Sequence, residues 1–140
     1  PRPTDALAMI GGPEEFYVAY FQEPGRAEAE IAADVRGWLA GFYATLSGDA
    51  PSPAGGGSVF FVPPGGRLRD RFVAGPPPDW LTEADVDACA DALARTGPTG
   101  ALNRYRNIDR DWEDLAAWDG APIAQPSLFI AGEHDASIAW

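Results

Sequence analysis

From Gly25 to Ser47 the apolar side chains fall at Ala27, Ile31, Val35, Trp38, Leu39, Phe42, Tyr43 and Leu46. Gaps of three and four, kept over more than five turns, match the 3.6-residue period of a helix with one buried face. This spacing predicts one long amphipathic helix, with Pro24 suited to its start and Gly48 to its stop. A second helix is punctuated at both ends. Thr82 and Asp85 form a capping-box pattern, with Leu81 and Val86 as its hydrophobic staple. Val86, Ala90 and Leu93 give the buried stripe, and Gly97 ends it. A third helix is predicted from about Gly100 to Trp118, with Leu102, Tyr105, Ile108 or Asp109, Trp112 and Leu115 in step.

Two stretches break this helical pattern. Residues 47–79 contain "PSPAGGGS", "PPGG" and "GPPP", with one apolar island at Val59 to Val62. A loop of this composition opposes regular structure, so 48–79 is expected to be flexible and anchored only at that island. After "DGAPIAQP", the run "SLFIAG" (Ser127 to Gly132) is short, apolar and without alternation, as in a strand buried on both faces of a parallel sheet. One strand makes no sheet, so its partners are expected outside this chain. The chain opens on "PRPTDALAMI" without an initiator methionine and stops just after the apolar run; we read it as an internal piece of a larger protein.

Charge and cysteine content narrow the function. The net charge is -11, from 21 acidic and 10 basic residues, and every basic residue is arginine. Nucleic-acid affinity needs clustered positive charge, and the one basic cluster, "RLRDRF", reads as a solvated loop face. Cys89 stands alone, which excludes an internal disulfide or a cysteine metal site, and it reads as a small buried hydrophobe. No apolar run approaches a membrane span and no signal peptide opens the chain, so a protein of the cytoplasm is expected.

Chemistry-bearing residues are few. Asp135 follows the strand-like run directly, where open α/β sheets gather their functional groups; it is a candidate catalytic acid, or equally a turn or capping aspartate. His134 beside it would point the other way in an extended loop. Tyr17, Tyr20 and Tyr105 carry phenols that stay protonated at neutral pH and can donate to an oxygen developing negative charge. Aromatic residues at helical spacing also serve as plain core packing. No metal constellation, phosphate loop or serine nucleophile elbow is present.

Three segments, "FYVAYFQEPGRAEAE", "DWLTEADVDACADALARTG" and "LNRYRNIDRDWEDL", together resemble the cap region of soluble epoxide hydrolases, and "SLFIAGEHD" resembles the core strand and acid loop that follow it. The resemblance covers nearly everything outside 47–79. It implies a mainly α-helical cap (lid) of an α/β-hydrolase fold over residues 1–120. The start of the C-terminal core would follow over 121–140, with one parallel strand at 127–131 and the acid loop at 132–136. In that family a core aspartate attacks the epoxide carbon to form an ester, two cap tyrosines hold and protonate the oxygen, and an acid-paired histidine activates water. Carried over by motif, the tyrosines are Tyr17 and Tyr105 and the acid is Asp135. Phe16, Tyr20, Phe21 and Arg104 would wall the substrate pocket. The nucleophile would precede Pro1 and the histidine follow Trp140, leaving this chain inactive alone.

The implied partners are a small epoxide and water, with no cofactor, metal, nucleic acid or membrane; a homo-oligomer is compatible with it. Pro98 and Arg104 depart from the aromatic residue and tryptophan often found there in the family, and both neighbour Tyr105. The alternatives are a haloalkane or haloacid dehalogenase of the same fold, disfavoured by the tyrosine pair, and a non-catalytic cap acting as a binding module.

Overall fold

The computed structural model describes residues 1–51, 58–73 and 75–135. Seven helices and a two-stranded ribbon are formed among these: α1 (Pro3–Ala8), β1 (Glu15–Phe16), α2 (Tyr17–Tyr20), α3 (Arg26–Ala33), α4 (Val35–Leu46), β2 (Phe61–Val62), α5 (Glu83–Thr96), α6 (Thr99–Arg106) and α7 (Ile108–Asp114). Short 3-10 turns stand at Leu68–Arg71 and Ala116–Trp118. The core gathers Tyr20, Ile31, Trp38, Val62 and Leu102 from five different elements, with Phe21 at the end of α2.

The predicted long helix is two. Asp34 ends α3 and caps α4, its carboxylate accepting from the Gly37 amide at 2.9 Å. An aspartate at this position satisfies one of the orphan donors of a new helix, which competes with simple continuation. Gly37 makes the cap fit, because a Cβ there would lie 2.2 Å from Asp34 Oδ2. The break redirects α4 so that Trp38 and Leu39 face the core and α5 packs alongside. Arg36 crosses that seam to Glu83 and, at 2.6 Å, to Asp87.

Helix α5 follows its sequence signals. The Thr82 hydroxyl accepts from the Asp85 amide at 3.2 Å, and Asp85 accepts from the Thr82 amide at 3.0 Å. Val86 is fully buried, and Gly97 closes the helix with φ +70°, a conformation that other residues rarely adopt.

The predicted third helix is interrupted at Asn107, between α6 and α7. Its outer half does not bury the stripe expected of it: Trp112 and Leu115 are more than half exposed. Asp109 instead faces α1, accepting from the Thr4 amide (2.9 Å) and hydroxyl (2.6 Å). A period-3.6 stripe states which face is apolar, but not whether anything covers it.

The glycine- and proline-rich stretch is anchored well beyond Val59 to Val62. Within it, β2 pairs antiparallel with β1 in the register Glu15↔Val62 and Phe16↔Phe61. Leu68 is buried in the core, and Phe72 packs edge-on against Trp38, 5.3 Å between centroids. Gly41 admits that ring, since a Cβ there would stand 2.9 Å from it. Residues 52–57 and 74 of this stretch lie outside the described residues, as does residue 136 of the acid loop.

The fastening point is Glu30. Its carboxylate, 7% exposed, accepts from Tyr20 Oη (2.5 Å), Trp38 Nε1 (2.8 Å) and the amides of Leu68 (3.2 Å) and Arg69 (2.9 Å). A buried carboxylate is tolerable only when its lone pairs are filled in this way.

Residues 127–131 pair with no strand among the described residues, and Leu128, Phe129 and Ile130 are about four-fifths exposed. No helix is long and apolar enough to cross a membrane among the described residues.

Candidate active site

Tyr17 opens α2 directly after β1, and its amide donates to the Phe60 carbonyl at 2.8 Å. The ribbon therefore sets where this residue stands. Its ring is surrounded by aromatic faces: Phe16 at 4.8 Å, Phe21 at 5.6 Å and Phe60 at 5.9 Å between centroids. Tyr105, brought in by α6, meets it edge to face at 5.7 Å and 80°, a favoured aromatic geometry. Phe21 touches both tyrosines, lying 5.0 Å from the ring of Tyr105. Burial pushes the Tyr17 phenol above its ordinary value, the nearby Tyr105 phenol adds to this, and Arg104 partly opposes it. Tyr17 is thus held as a neutral O–H donor through and beyond the physiological range.

Tyr20, expected in the pocket wall, belongs elsewhere. It is 1% exposed, its hydroxyl is bonded to Glu30, and the Arg26 guanidinium lies over its ring at 4.1 Å. Burial and the Glu30 carboxylate both raise its pKa, so it too stays protonated, as a structural donor. Tyr17 and Tyr20 are three apart, neighbours on the helix surface, and it is their partners that separate them: Tyr105 beside the first, Glu30 bonded to the second. Phe16 and Phe21 are buried around the Tyr17 ring, while Arg104 is exposed beside it.

An open cavity of about 530 Å³ begins at Tyr17 and is walled by the C-terminal end of α4, by Val59 and Phe60, and by residues 132–135. It brings Tyr17, His134 and Asp135 to one space; Tyr105 backs Tyr17 but is not part of the wall. The His134 ring lies against Gly48, 3.4 Å from where a Cβ of that glycine would stand. Both His134 and Asp135 border the cavity. Among the described residues, no group of three His, Cys, Asp or Glu side chains could hold a metal.

Residues that support the tyrosines were not singled out from sequence. Gln22 Nε2 donates to the carbonyls of Val18 (3.0 Å) and Tyr105 (2.9 Å). Arg106 Nε donates to the Phe21 carbonyl at 2.9 Å, and its two terminal nitrogens grip Glu28 at 2.6 and 2.9 Å. The available signal was the polar residue next to each aromatic one, in "FQEPG" and "RYRN".

No protein-family model matches the chain. It is similar along nearly its whole length to one section of several enzymes. Epoxide hydrolase B of Mycobacterium tuberculosis is 35% identical over 160 residues, spanning 99% of this chain and 45% of the relative. Among solved structures, an epoxide hydrolase from an endophytic Streptomyces matches with TM-score 0.95 and 68% identity, over 100% of this chain and 42% of that one. Epoxide hydrolase A from Mycobacterium thermoresistibile matches with TM-score 0.76 and 38% identity, over 90% of this chain and 39% of that one. The chain spans less than half the length of the curated relatives it matches.

Proposed function

We propose that this chain, which shares its length with one section of epoxide hydrolases, is the helical cap of such an enzyme together with the start of its following core. In this reading Tyr17 and Tyr105 are the donors for the epoxide oxygen, and Asp135 is the acid that orients a histidine beyond Trp140. The observation that carries the reading is the contact between Tyr17 and Tyr105, which come from two separate motifs and meet edge to face beside a cavity shared with Asp135. The cytoplasm is the proposed compartment, from the composition and the lone cysteine.

The chemistry follows from the groups. A carboxylate outside this chain attacks one epoxide carbon; the C–O bond breaks, and its electron pair goes to the ring oxygen. That oxygen takes a proton from a tyrosine hydroxyl, and an alkyl ester results. Water, deprotonated by the histidine, then attacks the ester carbonyl. The intermediate collapses to regenerate the carboxylate, its hydroxyl proton passing to the departing oxygen to give a vicinal diol, and the proton held by the histidine returns to the tyrosinate. Neutral phenols suit the first step, because they stabilise the developing alkoxide without a buried cation that would itself need a partner. The raised pKa of Tyr17 keeps that proton in place until the oxygen demands it.

The test is turnover of a small aryl or alkyl epoxide by the full-length protein and its Tyr17→Phe and Tyr105→Phe variants. Removing one such donor is expected to lower kcat by about 10²–10³-fold. Full activity in both single variants and in the double variant would sink the assignment.

A further inference from the structure

Where the two tyrosines stand is decided by hydrogen bonds that neither tyrosine makes with its side chain. Tyr17 sits on a single turn of helix, α2, followed by the Pro24–Gly25 turn; Tyr105 sits on the penultimate residue of α6. A four-residue helix has no rigidity of its own, since nucleating a turn is unfavourable. Two side chains join these elements. The Gln22 carboxamide spans from the Val18 carbonyl, one residue after Tyr17, to the carbonyl of Tyr105 itself. Arg106, next to Tyr105, donates to the carbonyls of Phe21 (2.9 Å) and Glu23 (3.3 Å).

Glu28 completes the unit. It holds both terminal nitrogens of Arg106, while its Oε2 also accepts from the Gly25 amide at 2.9 Å. One carboxylate therefore ties the turn after α2, the first turn of α3 and the end of α6. The pair is largely withdrawn from water, with side-chain exposures of 14% for Arg106 and 17% for Glu28. Two-pronged charge-assisted bonds fix orientation as well as distance.

We propose that Gln22, Arg106 and Glu28 form a clamp that sets the spacing of the Tyr17 and Tyr105 hydroxyls, making them positioning residues for epoxide-ring opening. This rests on the functional reading above. The clamp is built to act on one step only. Opening needs both donors aimed at one oxygen, whereas ester hydrolysis is run by the acid, the histidine and water. Displacing catalytic groups by about 1 Å can cost on the order of 10²-fold.

The experiment uses the full-length protein, with pre-steady-state rates of ester formation and ester hydrolysis measured for styrene oxide. Gln22→Ala is the main variant, because the carbonyls it releases can be met by water and the fold should persist. Arg106→Lys is the second, keeping the charge but losing the fork. Ester formation is expected to slow by about 10–100-fold in Gln22→Ala, with ester hydrolysis within about twofold of wild type. Added to Tyr17→Phe/Tyr105→Phe, Gln22→Ala should cause no further loss, since groups acting through one another are non-additive. Equal slowing of both steps, unchanged ester formation, or a full further loss in the tyrosine-free background overturns the clamp. Wild-type protein that forms no ester overturns the functional reading, and the clamp's purpose with it.

Discussion

Replacing Glu30 by alanine tests whether the fold is fastened where the structure places the fastening. The substitution removes the shared acceptor of four donors: Tyr20 Oη, Trp38 Nε1 and the amides of Leu68 and Arg69. The Arg69 bond is only partly buried, so that amide can turn to water; the other three are enclosed. A buried donor left without a partner costs about 1–3 kcal/mol. Three such donors give at least about 3 kcal/mol, and the relief of no longer burying a charge keeps the total near this lower bound. With a urea slope of about 2 kcal/mol/M, the unfolding midpoint should fall by about 1.5 M while the slope stays constant. Amide exchange supplies a local readout, because Leu68 and Arg69 should lose protection before the amides of α5. Tyr20→Phe removes one donor and leaves the acceptor, so it should cost only about 1 kcal/mol. A Glu30→Ala protein within about 0.5 kcal/mol of wild type, with Leu68 and Arg69 still protected, would refute the reasoning.

Asp135→Asn in the full-length protein should slow ester hydrolysis severely and let the alkyl-enzyme ester accumulate, as seen by intact-protein mass spectrometry; His134→Ala should cause the smaller loss, and the reverse order would reject Asp135 as the relay acid. Arg106 holds the Glu28 carboxyl at about 2, down from 4.5. A depressed carboxylate contributes stability that is present above its ordinary pKa and lost as pH falls toward the native value. The gap in Tm between wild type and Glu28→Gln should therefore narrow progressively below about pH 4.5, and a constant gap down to about pH 2 would contradict that account.

What the sequence determined by itself was local. Helix α5 was legible at both ends because Thr82, Asp85 and Gly97 act on backbone groups within one turn of themselves. The Asp34 cap was equally local, and the aspartate three residues before Gly37 was its signal. The unbroken apolar period of Ala27 to Leu46 hid it, since periodicity reports which face is buried and says nothing about a change of axis. The family resemblance picked out Tyr17, Tyr105 and Asp135 by motif, and the relatives of known structure carry the same cap shape.

Tertiary structure decided which partner each phenol meets. Tyr17 and Tyr20 stand on one short helix with identical chemistry, and only the distant partners separate them: Tyr105 on α6 beside the first, Glu30 on α3 beneath the second. The loop was decided in the same way. Its glycines and prolines disfavour regular structure, but Leu68 and Arg69 are held by a carboxylate 38 and 39 positions away, which composition cannot report. Propensity and capping act over a turn or two of chain; the burial of an acceptor and the donors it gathers depend on segments that become neighbours only after folding.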